Sequence, residues 1–121
     1  MIALGVSIGV HPWFANVAAR PRWASMVIGV LQVELGIDGA RSLKDKRRVV
    51  SSLKDRLHRH HQVSVAEVGS QDDCQVAIIG IVLASSDVSH CQSVLDRILV
   101  RIRDLRGCAL NDQTTEILTG R

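Results

Sequence analysis

From Val27 to Ile37 the chain reads VIGVLQVELGI, with Val27, Leu31, Val33, Leu35 and Ile37 all on one side of an extended backbone. A period of two is the pattern of a half-buried β-strand. Asp38-Gly39 follows as a turn signal, and Ser42 stands where a helix N-cap is needed. Leu43, Val49, Val50, Leu53 and Leu57 then recur at helical spacing, which predicts an amphipathic helix to about Arg59. Lys44, Arg47, Arg48, Lys54, His58 and Arg59 fall on the opposite arc. Lys46 is out of place, since it projects into the apolar arc. Two readings stay open for it: its stem covers the core edge while the ammonium reaches solvent, or it pairs specifically with a partner or with a sheet carboxylate such as Glu34.

Val63–Val68 reads as a short strand, followed by the polar loop Gly69–Gln75. Val76–Ala84 (VAIIGIVLA) is almost wholly apolar, which predicts a strand buried on both faces. Ser86 or Asp87 caps a second helix whose stripe is Val88, Cys91, Val94, Leu95, Ile98, Ile102 and Leu105, and Gly107 ends it. Cys108–Leu118 is a weaker final strand. The order β-α-β-β-α-β predicts an α+β, ferredoxin-like split βαβ domain, with a four-stranded antiparallel sheet and two helices on one face. The other sheet face then carries Ile28, Val30 and half of the apolar strand. Uncovered apolar surface of that kind marks an interface. The expected cover is a second copy of the chain, giving a homodimer, or residues 1–25.

Those first 25 residues differ from the rest: they hold Pro12, Pro21 and all the aromatics, Trp13, Phe14 and Trp23. No basic segment precedes the apolar run Ile2–Val10, which is also too short to span a membrane. They are read as an extension, disordered or from a non-native start, ahead of a domain at 26–121; a clean strand begins directly after Met26. With 121 residues, 46% hydrophobic and 22% charged, one globular domain is expected. Cys74, Cys91 and Cys108 form no C-x-x-C pair and are read as buried small hydrophobes in a reducing cytoplasm.

Charge changes the picture most. The chain has 15 Lys+Arg against 12 Asp+Glu, a net charge of +3, yet Arg41–Arg59 alone gathers Arg41, Lys44, Lys46, Arg47, Arg48, Lys54, Arg56 and Arg59 against Asp45 and Asp55. A cationic helix face of this kind fits phosphate backbones. Arg41, Lys44, Lys46, Arg47, Arg48 and Lys54 are the expected contacts, with Arg41 and Lys46 at the start of the helix. Contact with about four to six phosphates predicts a slope of log K against log salt of about −4 to −5. No aromatic residue is available on the strands, so base stacking on the sheet is excluded as the mode. A solvated basic face with no ligand is the plain alternative. A protein-interaction or dimerisation module with no nucleic-acid ligand is another.

Catalysis finds little support. There is no G-x-S-x-G, no phosphate-binding glycine loop ending in Lys-Ser/Thr and no H-E-x-x-H. His90 and Cys91 are helix neighbours and point apart. His58 and His61 make a weak metal site without a third ligand. No cofactor, metal or membrane partner is expected.

The segments VIGVLQVEL, GARSLKDKRRVVSSLKDRL and VSVAEVGSQD together resemble the YlxP-like family of small bacterial proteins of unknown function, over Met26–Leu118. The resemblance implies a ferredoxin-like fold and a homodimer. Genes of that family often lie between those of a translation initiation factor and ribosome-binding factor A, which implies work near ribosome maturation, with RNA or a ribosomal precursor as partner. The residues matching its motifs are Ser42, Leu43, Lys44, Asp45, Lys46 and Arg47, then Glu67, Gln71 and Asp72. After VAEV the chain departs: Gly69, Ser70, Asp73 and Cys74 replace the His- and Trp-containing loop of the family, so no role of those residues carries over.

Overall fold

A computed structural model describes residues 25–120. The extension expected at 1–25 lies outside the described residues except for Ser25. Six elements follow in order: β1 (Val27–Gly36), α1 (Leu43–His60), β2 (Ser64–Gly69), β3 (Val76–Ser85), α2 (Val88–Arg103) and β4 (Ala109–Thr119). The strands form one sheet in the order β2-β3-β1-β4, every neighbouring pair antiparallel. This is the expected ferredoxin-like α+β arrangement.

Strand parity decides what the helices cover. Val27, Leu31, Val33 and Leu35 of β1 and Ala77, Ile79, Ile81 and Leu83 of β3 are buried on the helical side. They meet Leu53 and Leu57 of α1 and Cys91, Leu95, Ile98 and Ile102 of α2 in one cluster. The expectation that β3 is buried on both faces is corrected here. Its burial alternates, and Val82 (41% exposed) and Ala84 look away from the helices. An apolar sequence forces a strand; only the second layer decides which of its faces is dry.

Other differences are local. Val88 was expected on the buried stripe of α2 but is exposed, whereas Leu99 is buried. Asp87, not Ser86, caps the helix, accepting from the Ser89 and His90 amides. Of the cysteines only Cys91 is fully buried; Cys74 and Cys108 are half-buried, and all three are free thiols.

Gly29 lets α2 lie close on β1. A Cβ there would collide with Cys91 Sγ and sit 3.2 Å from both Leu83 and Leu95. Gly29→Ala should therefore cost about 1–3 kcal/mol through overpacking. Urea denaturation checks this, and Cys91→Ala in the same chain should recover part of the loss; no recovery would show that the clash is not the cause.

Candidate nucleic-acid interface

The start of α1 is built by its own side chains. Ser42 Oγ accepts from the Asp45 amide at 3.1 Å, and Asp45 Oδ2 accepts from the Arg41 amide at 2.9 Å. One donor that the helix leaves open is thus satisfied, the residue before the cap is tied to the first turn, and an acid stands in that positive turn. With this frame fixed, Arg41, Lys44, Arg47, Arg48, Arg56 and Arg59 are exposed along a helix about 27 Å long. None of their charged groups has a carboxylate within 4.0 Å among the described residues, where Lys46–Glu67 is the single ion pair. Residues 1–24 contain no Asp or Glu to supply one.

Lys46 must be removed from the set of phosphate contacts. It is 1% exposed, and its Nζ lies 2.8 Å from Glu67 Oε2, while donating to the carbonyls of Ser70 (2.8 Å) and Val76 (3.1 Å). The ammonium is thus ringed by three oxygens, one from the Glu67 carboxylate and two from main-chain carbonyls. Glu34 cannot be the partner because parity puts it on the open sheet face. Glu67 shares the helical side with Val65, opposite Ile79. Ser70 adopts φ +54°, the left-handed region rare for residues with a side chain, just past a register shift at Glu67/Gly69. That turn aims its carbonyl at both Lys46 Nζ and the Asp73 amide.

Lys54 is the second adjustment: it sits at the flank of the arc and is half-buried. The resemblance motifs therefore split in two. Ser42 and Asp45 are occupied in capping α1, Lys46 and Glu67 in holding it to β2 and the loop that follows, and Lys44 and Arg47 are left facing solvent.

The sequence reading missed what α2 adds. Arg97 and Arg101 stand one turn apart and act on His61 at the end of α1. Burial lowers the His61 pKa from its usual 6.5, and the charges of Arg101, Arg97 and His60 lower it further. The signal was available in the i, i+4 spacing of the two arginines, but helix-to-helix placement was needed to join it to α1. The strands contain no Lys or Arg at all, so positive charge belongs to the helical layer and the sheet carries only acids.

Acid–base chemistry has no comparable focus. Burial pushes the Cys91 and Cys108 thiols up, away from the reactive thiolate. Among the described residues no three His, Cys, Asp or Glu side chains gather as a metal set, and no helix is long and apolar enough to cross a membrane.

Fold and surface together define a small ferredoxin-like domain with a cationic helical layer. The profile of a family described as "Protein of unknown function (DUF503)" matches residues 28–115, and the chain belongs to that family. It is 36% identical over 76 residues to the "Uncharacterized protein YlxP" of Bacillus subtilis (strain 168), covering 63% of this chain and 83% of that protein. Among solved structures, "De novo designed protein Foldit4" superposes with a TM-score of 0.48 at 15% identity, covering 79% of this chain and 99% of the designed one.

Proposed function

We propose that this domain is non-enzymatic and binds RNA through the phosphate backbone, using the exposed face of α1. The observation that carries the reading is the row of exposed cations Arg41, Lys44, Arg47 and Arg48, whose charged groups pair with no carboxylate among the described residues. With Lys46 engaged inside, about four phosphates are within the reach of this row, which lowers the expected salt slope to about −3 to −4. The mode is recognition of backbone and shape, because the strands offer no aromatic ring for stacking. Ribosomal RNA or a ribosomal precursor in the cytoplasm is the setting implied by the family resemblance. Retention of the nuclease-treated chain on labelled ribosomal RNA across a salt series tests the reading. Flat or absent retention at low salt would end it.

One observation favours a second reading, a homodimer through the open sheet face. Val68 and Val82 are 53% and 41% exposed beside half-buried Ile28, Val30 and Ile78. Strands about 4.8 Å apart and about 20–30 Å long give a face of about 400–600 Å², comparable with the about 800 Å² of accessible surface per partner that stable dimers bury. Its acids Glu34, Asp112 and Glu116 lie toward the β4 side, so a pairing over the whole face avoids opposing them when the β4 half of one copy meets the β2 half of the other. Sedimentation should then report a dimer that Val82→Asp converts to monomer; a monomeric parent chain would refute the pairing.

A further inference from the structure

Charge is unevenly spaced along the exposed face of α1. Lys44, Arg47 and Arg48 stand in its first two turns and Arg59 in its last, with Ser51, Ser52 and Asp55 between them, all exposed. At about 3.6 residues per turn these positions share one stripe. A shallow open hollow of about 500 Å³ touches all seven of them. Arg47 and Arg59 are 12 residues apart, about 18 Å along the helix axis. Asp55, in the middle, forms no ion pair among the described residues.

This order does not suit a single strand laid along the whole helix. A backbone following the stripe would carry a phosphate past the Asp55 carboxylate, where like charges repel. The middle group suits a ribose instead. A 2′-hydroxyl is both donor and acceptor; the Asp55 carboxylate accepts, and the two serine hydroxyls do either. Phosphate, then sugar hydroxyls, then phosphate is the order met on crossing the minor groove of an A-form RNA duplex, which is wide and shallow. A convex helix can lie in such a groove without any cleft of its own.

We propose that α1 seats across the minor groove of double-stranded RNA. Lys44, Arg47 and Arg48 hold one backbone, Arg59 holds the other, and Ser51, Ser52 and Asp55 meet the 2′-hydroxyls between. The proposal rests on the RNA reading of α1 and narrows it to a duplex. The more cationic end is also the positive end of the helix dipole, so the stronger phosphate contact falls there. A DNA duplex offers no 2′-hydroxyl and a narrow minor groove, so the seat discriminates against it.

The test compares three probes at one low salt concentration: a short RNA duplex of ribosomal sequence, the DNA duplex of the same sequence, and one RNA strand alone. The RNA duplex should bind about 10-fold tighter than the DNA duplex, the worth of two hydrogen bonds, and tighter than the single strand. Asp55→Ala gives the sharpest contrast. If the carboxylate accepts from a ribose, the preference for RNA over DNA falls about 3-fold or more. If it only repels phosphates, both duplexes bind tighter and their ratio stays. Ser51→Ala with Ser52→Ala should likewise lower the ratio while leaving the salt slope alone. Arg59→Gln should take about 0.9 from the magnitude of the duplex slope. All of these side chains are exposed, so unchanged thermal unfolding should accompany each variant. RNA and DNA duplexes bound alike, a single strand bound tighter than the duplex, or an Asp55→Ala ratio equal to that of the parent overturns the groove seating. Binding that still depends on Arg47 and Arg48 would then leave α1 as a backbone interface. Absence of binding to every RNA overturns the reading of α1 and the groove seating together.

Discussion

Glu67→Ala should destabilise this domain by about 3–5 kcal/mol, as much as truncating a core leucine. The ammonium of Lys46 would remain 1% exposed with only the Ser70 and Val76 carbonyls around it. That cost is a large share of the about 5–15 kcal/mol by which domains of this size are stable. Lys46→Met should cost less, since the methionine fills the same apolar channel and Glu67, already 20% exposed, can turn to water. It leaves two carbonyls short of a donor, of which Ser70 keeps the Asp73 amide. Replacing both charges, Lys46→Met with Glu67→Leu, should come close to the parent stability, because the desolvation of the pair disappears with its attraction. Urea denaturation of these variants, with Glu67→Leu alone to close the cycle, measures the coupling directly. If Glu67→Ala costs under about 1 kcal/mol, comparable with an exposed pair, the ammonium reaches water and the buried assignment is wrong.

The same set separates structure from binding. A folded Lys46→Met chain should keep the RNA affinity and salt slope of the parent, since its charge never faced the ligand. A lost slope would return Lys46 to the interface.

Sequence periodicity was sufficient for the layers because period two and period 3.6 each point to one face. Element boundaries hold to within a residue or two at β1, α1 and β2, where Ser42 and the Asp38-Gly39 turn fix them locally. What failed needed long-range facts. Lys46 was visibly anomalous in the apolar arc, but its partner depended on which strand lies beneath α1 and on the parity of that strand. Glu34 and Glu67 are equally good carboxylates in a string; only the sheet order puts one of them under the helix. Lys54 shows the limit of an angular reading, since a residue at the edge of the arc is half-buried by whatever packs beside it. The Arg97/Arg101 pair was invisible as part of the surface, because no local pattern reports that α2 reaches the end of α1.

Reversal of charge at Arg47 and Arg48 should weaken RNA binding by about 100-fold or more at low salt, about 2.7 kcal/mol. Each substitution removes one phosphate contact and places a like charge beside the next. The slope of log K against log salt should accordingly lose about 1.4 to 1.8 of its magnitude, by the single-strand and duplex coefficients. The fold should survive, because both side chains are exposed and neither has a carboxylate within 4.0 Å among the described residues. Unchanged thermal unfolding therefore has to accompany the loss. Arg103→Glu, an equal change of sign on an exposed residue at the far end of α2, controls for net charge alone. If that variant weakens binding as much as a single reversal on α1, the attraction is a property of the whole positive layer. If the double reversal binds ribosomal RNA like the parent, α1 is a solvated helix face and the search for a ligand moves to the sheet.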